Sequence, residues 1–125
     1  MTKKILYIED NPANTLLMRK IISRLPQYQL HDAPNAEAGL DMMDSIRPDI
    51  VLMDIGLPGM DGIQAAKEIK ARFDFAQNTP IIAVTANAMA THIEGASEAE
   101  FFDYITKPID FSKLITAIEL ASENI

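Results

Sequence analysis

The stretch Ile50-Val51-Leu52-Met53-Asp54-Ile55-Gly56-Leu57-Pro58-Gly59 decides how this chain is read. Four consecutive apolar residues end on a carboxylate, and a Gly- and Pro-rich turn sequence follows. A short apolar run without alternation fits a strand buried on both faces, as in a parallel sheet. Gly56 to Gly59 supply the punctuation that stops it.

The same grammar recurs on either side. Ile5–Ile8 and Ile81–Val84 are continuously apolar runs of strand length, and weaker candidates lie at Tyr28–Ala33 and Phe102–Ile105. Helical spacing fills the intervals. Leu17, Met18, Ile21, Ile22 and Leu25 form one stripe, with Asn11 as a plausible cap and Pro12 at the first helical position. Asn35 is placed to cap a second helix carrying Leu40 and Met43. A third follows Asp61-Gly62 and carries Ile63, Ala66, Ile69 and Phe73. A fourth lies within Asn87–Glu98, weakened by Gly95, which costs about 1 kcal/mol relative to Ala in a helix interior. Asp110 caps the last, whose stripe is Phe111, Leu114, Ile115, Ile118 and Ala121. The order is β-α repeated five times. It predicts an α/β fold, a five-stranded parallel sheet with helices on both faces joined by right-handed crossovers.

Composition bounds the rest. The 125 residues suit a single domain over 1–125, and 48% hydrophobic with 23% charged is a globular balance. No apolar run approaches the roughly 18–20 residues of a membrane span. Glu9 and Asp10 interrupt the start before a signal stretch can form. No cysteine is present, so disulfide and thiol chemistry are excluded, and a cytoplasmic protein with no membrane partner is the expectation. A net charge of −7 without a basic cluster beyond Lys3-Lys4 argues against direct nucleic-acid binding.

In open α/β sheets ligands bind beyond the carboxyl ends of the strands. The residues there are Glu9 and Asp10 after the first strand, Asp54 after the third, Thr85 after the fourth, and Lys107 with Pro108 after the fifth. Each has a plain alternative: Asp10 before a helix start, Asp54 before a turn, Thr85 as a structural hydroxyl, Lys107 as a solvated charge. Together they place three carboxylates, a hydroxyl and an ammonium at one edge. Three such carboxylates repel, and one lysine does not neutralise them. A hard divalent cation with oxygen ligands does, and Mg²⁺ suits a few carboxylates with room for water or phosphate oxygens. One carboxylate can then serve as nucleophile toward a phosphoryl group, with cation and lysine offsetting charge.

Four segments carry a resemblance over essentially the whole chain: Ile8-Glu9-Asp10-Asn11, Met53 to Gly62, Val84-Thr85-Ala86-Asn87-Ala88, and Tyr104-Ile105-Thr106-Lys107-Pro108. In this order and spacing the sequence resembles the bacterial response-regulator receiver family of two-component and phosphorelay signalling. The resemblance implies the flavodoxin-like strand order 2-1-3-4-5, for which the chemotaxis member of this family is a standing example. It implies that Asp54 accepts a phosphoryl group from a phosphohistidine of a sensor kinase or phosphotransfer protein. It implies Mg²⁺ (or Mn²⁺) held by Glu9, Asp10, Asp54 and the backbone carbonyl of Gly56. Lys107 would pair with the phosphoryl group or Asp54, and Thr85 would close on the phosphate. Tyr104 would change rotamer with it, altering a face for a downstream target protein. The Lys107-Pro108 bond is cis in the family. Such a chain is a signalling domain and not an enzyme beyond its own phosphotransfer and autodephosphorylation. No output segment follows the last helix, so the expectation is a stand-alone receiver or one cut from a larger protein.

The sequence departs from the family before the fifth strand, where Glu100-Phe101-Phe102 replaces a frequent Gly that ends the preceding helix. Gly56 and Asn87 occupy positions that vary among members and tune phosphoryl lifetime. A nucleotide- or flavin-binding protein of the same fold is disfavoured. Its first βα turn needs glycines and free N–H groups, and Glu9-Asp10-Asn11-Pro12 offers two acids and a proline. A receiver-like module that takes no phosphate is disfavoured because no expected site residue is missing. A phosphohydrolase with an Asp-x-Asp nucleophile motif is disfavoured because Gly56 replaces the second Asp. His31 and His92 are isolated and expected at the surface.

Overall fold

A computed structural model describes residues 2–55, 61–86 and 101–123. Five strands, β1 (Lys3–Ile8), β2 (Tyr28–Ala33), β3 (Ile50–Asp54), β4 (Ile81–Thr85) and β5 (Asp103–Thr106), alternate with helices α1 (Pro12–Ser23), α2 (Ala36–Ile46), α3 (Gly62–Arg72) and α4 (Phe111–Glu123). A short 3₁₀ turn, Asp74–Ala76, follows α3. The sheet order is β2-β1-β3-β4-β5 and every pairing is parallel. The helix expected within Asn87–Glu98 and the turn Gly56–Gly59 lie outside the described residues.

The continuous apolar runs follow from the layering. Successive strand residues point to opposite faces. Leu6, Ile8, Val51 and Met53 join one core with α2 and α3, while Ile5, Tyr7, Ile50 and Leu52 join the other with α1 and α4. With helices on both faces, no position in the middle of β1, β3 or β4 is left for a polar residue.

Each helix start is fixed by a short polar side chain. Asn11 Oδ1 accepts from Ala13 N at 2.8 Å, Asn35 Oδ1 from Ala38 N at 2.8 Å, and Asp61 Oδ1 from Gln64 N at 2.8 Å. Asp110 Oδ1 accepts from Lys113 N at 3.2 Å. Each such cap contributes about 1 kcal/mol. At the other end of α2, Arg47 adopts a left-handed φ of 50° and its N–H closes on Met43 O.

Two ties hold the far edge of the domain, away from the strand carboxyl ends. Lys3 Nζ donates to Ser122 O at 2.9 Å, and the hydroxyls of Tyr28 and Ser122 lie 2.8 Å apart. They bind the start of β1 and of β2 to the last turn of α4.

Three sequence expectations change. Leu17 and Phe111 sit in the apolar stripes of α1 and α4 but remain 38% and 50% exposed, because Met18, Ile21, Leu114 and Ile118 already fill the layer beneath. Phe73 lies just past α3, at its C-cap, yet packs against the same core that Ile63, Ala66 and Ile69 enter. His31 is not a free surface residue: it is half-buried on β2, with Nε2 shielded from solvent.

Candidate functional site

Strand register brings the polar residues together. Ile8 lies opposite Met53, so Glu9, the next residue, comes alongside Asp54. Asp54 lies opposite Val84, and Thr85 opposite Thr106, which puts Lys107 one step past the end of the sheet. The backbone holds each position: Glu9 N donates to Ala33 O at 3.0 Å, Ile55 N to Val84 O at 3.0 Å, and Lys107 N to Thr85 O at 2.7 Å. The Lys107–Pro108 peptide bond is cis.

Glu9, Asp54 and Thr85 are buried, and Asp10 is exposed at the rim. Carboxylate oxygens of Glu9, Asp10 and Asp54 all lie within 4.8 Å of one another. Lys107 Nζ reaches between two of them, 2.9 Å from Glu9 Oε1 and 3.3 Å from Asp54 Oδ2. Gly56, expected to add a backbone carbonyl, is outside the described residues. Tyr104 is half-buried on β5, its ring edge-on to Phe101 with centroids 5.5 Å apart.

The electrostatics show a site short of positive charge. Burial of Glu9, reinforced by its hydrogen bond to Asp54, pushes its carboxyl up to about 7 despite opposing hydrogen bonds from Lys107 and Asn14. Burial draws the Lys107 ammonium down, but its hydrogen bond to Glu9 and the charges of Asp54 and Glu9 outweigh this and hold it above its ordinary value. Burial, with Glu9 and Asp54 nearby, raises Tyr7 far above the usual phenol range. Glu9 Oε2 is buried with no hydrogen-bond partner among the described residues. An acceptor in that condition costs about 1–3 kcal/mol unless something engages it. Three carboxylates, one orphaned oxygen and a single ammonium therefore fit a hard divalent cation bound through oxygen.

Two contributors escape a reading of strand ends. Asn14 Nδ2 donates to Glu9 Oε1 from the first turn of α1. Its spacing from Asn11 is the one signal available, since it puts Asn14 on the turn that faces the strand ends. Tyr7 hides in an apolar strand, yet its hydroxyl is buried near the acids.

Gly62 brings α3 against the nucleophile candidate. Its N–H donates to Ile55 O at 3.1 Å. A Cβ there would lie 2.7 Å from Ile55 Cα and closer still to Asp54 O, so only glycine permits this approach. The backbone of Asp54 is thus wedged between β4 and the start of α3.

Comparison with known proteins agrees with this geometry. The family model described as "Response regulator receiver domain" matches residues 5–119. The polar-differentiation response regulator DivK of Brucella anthropi is 35% identical over 119 residues, 95% of either chain. The signal transduction histidine-protein kinase BarA of Escherichia coli K12 is 36% identical over 111 residues, 88% of this chain but only 12% of BarA. Among solved structures, the receiver domain of sensor histidine kinase PA1611 from Pseudomonas aeruginosa superposes with a TM-score of 0.85 at 31% identity. The match covers 96% of this chain and 97% of that one, which has a magnesium ion coordinated in its active-site cleft.

Proposed function

The chain belongs to the response-regulator receiver family of two-component signalling, and from that premise we propose that it is a switch phosphorylated on Asp54. The donor is a phosphohistidine of a sensor kinase or a histidine phosphotransfer protein. The observation that carries the assignment is the convergence of Glu9, Asp10 and Asp54 within 4.8 Å, with Lys107 among them.

An Asp54 oxygen forms the new bond to phosphorus as the bond from phosphorus to the donor imidazole nitrogen breaks. The imidazole leaves with the electron pair and takes a proton from solvent. Asp54 needs no base, because a carboxylate is ionised at neutral pH; it needs orientation and charge compensation. Orientation comes from the β3–β4 register and from Gly62 against its backbone. Lys107, within reach of Asp54, compensates charge arriving on the phosphoryl oxygens. Glu9, Asp10, Asp54 and the Gly56 carbonyl would hold Mg²⁺ or Mn²⁺, which supplies further compensation when bound. The resulting acyl phosphate is also open to water, so the chain's own chemistry comprises phosphotransfer to itself and loss of the phosphate.

The readout is a change of protein-binding surface. Phosphorylation adds charge and acceptor oxygens beside Thr85, whose hydroxyl turns toward them. Space opens for Tyr104 to swing inward from its contact with Phe101, and the β5–α4 side is repacked for a downstream protein. The fourth helix read from the sequence, whose Met89, His92 and Ile93 would extend this face, lies outside the described residues. Two states separated by a few kcal/mol suffice for such control.

Acetyl phosphate with Mg²⁺ is expected to add one phosphoryl group, placed on Asp54 by mass spectrometry of the trapped product. Undiminished labelling of Asp54→Ala would overturn the assignment.

A further inference from the structure

The two oxygens of the Glu9 carboxylate are held in unlike ways. Oε1 accepts one hydrogen bond from Asn14 Nδ2 and another from Lys107 Nζ, the latter at 2.9 Å. Oε2 is buried and has no partner among the described residues. The Glu9 side chain is wholly shielded, so bulk solvent does not even out the difference. Each oxygen of a carboxylate offers two lone pairs. On Oε1 both are engaged, one from α1 and one from beyond β5. Oε2 is left as the oxygen open to a cation.

The helix itself does not call for Asn14. It is the third residue of α1 and half-buried, and Asn11 already caps the helix by accepting from Ala13 N. The third position commonly carries a Glu that reaches back to the cap. A Glu here would bring a fourth carboxylate to Glu9, Asp10 and Asp54, whereas an amide donates to Glu9 without adding charge.

Divalent cations ask different things of a carboxylate. Ca²⁺ takes roughly six to eight oxygens at about 2.3–2.6 Å and readily accepts both oxygens of one carboxylate. Mg²⁺ demands a near-octahedral shell at about 2.0–2.1 Å and keeps several waters beside one or two carboxylates. A carboxylate that gives only one oxygen therefore suits Mg²⁺ better than Ca²⁺.

We propose that Asn14 is a positioning residue that sets the cation preference of the site. Together with Lys107 it holds Oε1, makes Glu9 a one-oxygen ligand and so favours Mg²⁺ over Ca²⁺. The inference rests on the Mg²⁺ site of the proposed function. It adds a residue that touches neither cation nor phosphate and acts through Glu9.

Calorimetry with Mg²⁺ alone and with Ca²⁺ alone, at one fixed pH, tests it. Asn14→Leu removes the donor while favouring the helix. Its Mg²⁺ affinity should fall about tenfold, the low end for loss of the partner that orients a metal ligand. Its Ca²⁺ affinity should hold or rise, because Oε1 regains an open lone pair. Thr15→Val disturbs the same turn by removing the hydroxyl bond to Asn11 O, and leaves the Asn14–Glu9 bond in place. It should keep the parent preference. In the Mg²⁺-loaded parent, one Asn14 side-chain amide proton should exchange slowly by NMR, as the bond to Oε1 requires. Equal losses of both affinities in Asn14→Leu would overturn the inference and leave the Mg²⁺ site standing. So would the same shift in Thr15→Val, an Asn14 amide released on Mg²⁺ binding, or a parent protein that prefers Ca²⁺. A parent protein that binds no Mg²⁺ would overturn the site and the inference together.

Discussion

Lys107 Nζ lies 2.9 Å from Glu9 Oε1, so a cation based at the end of β5 reaches across β4 and β3 to the acid that follows β1. It occupies the acidic cluster as a resident counter-ion. Lys107→Ala is therefore expected to move two properties in opposite directions. Mg²⁺ affinity should hold or tighten, because Glu9 and Asp54 lose a competing cation. Phosphorylation by acetyl phosphate should slow by about 10²-fold, the usual effect of removing one charge-stabilising group. Calorimetry and mass spectrometry on the same preparation check both, and a parallel loss of both would show that Lys107 only holds the site together.

Asp10 is the exposed member of the cluster and carries no core packing. Asp10→Ala should weaken Mg²⁺ binding and phosphorylation together while leaving the unfolding temperature within about 2 °C of the parent, as for a surface change of a few tenths of a kcal/mol. Unchanged Mg²⁺ affinity by calorimetry would mean that the metal sits elsewhere.

Glu9 gives the site a pH signature. Its carboxyl is raised from 4.5 to about 7, so the metal-free fold retains a proton that the unfolded chain has released between those values. The stability associated with that proton is complete below pH 4.5 and is lost as pH rises to about 7. A divalent cation must displace the same proton. Mg²⁺ affinity should accordingly climb as pH rises toward about 7 and level off above it. Calorimetry in buffers of different ionisation enthalpy should detect proton release on the rising limb and none on the plateau.

The two glycines of the core make a matched test. Ala at Gly62 collides with the backbone of Asp54 and Ile55, which cannot rotate away, and should cost about 1–3 kcal/mol and slow phosphorylation. Ala at Gly39 meets the side chain of Ile8, with Cγ1 at 2.9 Å, and lies outside the acidic cluster. Thermal unfolding should register both substitutions, while the phosphorylation rate should fall only for Gly62→Ala.

Thr85→Ala separates receiving the phosphate from transmitting it. The variant should still be phosphorylated, since Asp54, Lys107 and the acids remain. NMR shifts on β5 and α4 induced by beryllofluoride, a phosphate mimic, should be much reduced. Shifts as large as in the parent would remove Thr85 from the coupling path.

The strand ends were legible in the sequence because a buried parallel strand must be apolar until it leaves the sheet. The first carboxylate or hydroxyl after Ile8, Met53 and Val84 therefore announces itself, whereas the polar edge strand Asp103–Thr106 gives Lys107 no such contrast. Caps were legible for a related reason, as Asn11, Asn35, Asp61 and Asp110 each precede an apolar stripe. Tyr7 was not, because an aromatic in such a run is indistinguishable from packing until its hydroxyl is located. Nor was the exposure of Leu17 and Phe111. Periodicity identifies the stripe of a helix but not how much of it the layer beneath has room to accept, and Met18 and Leu114 take the inner places.

The bonds from Lys3 and Tyr28 to Ser122 fasten both ends of the domain to one pole, opposite the acidic cluster. Any polypeptide joined to either end is attached at that pole, like a lamp held by its base. The reactive tip then faces away from whatever carries it. An attachment leaving from beside Lys3 or Ser122 therefore starts at the pole remote from Glu9, Asp10 and Asp54 and does not cross them.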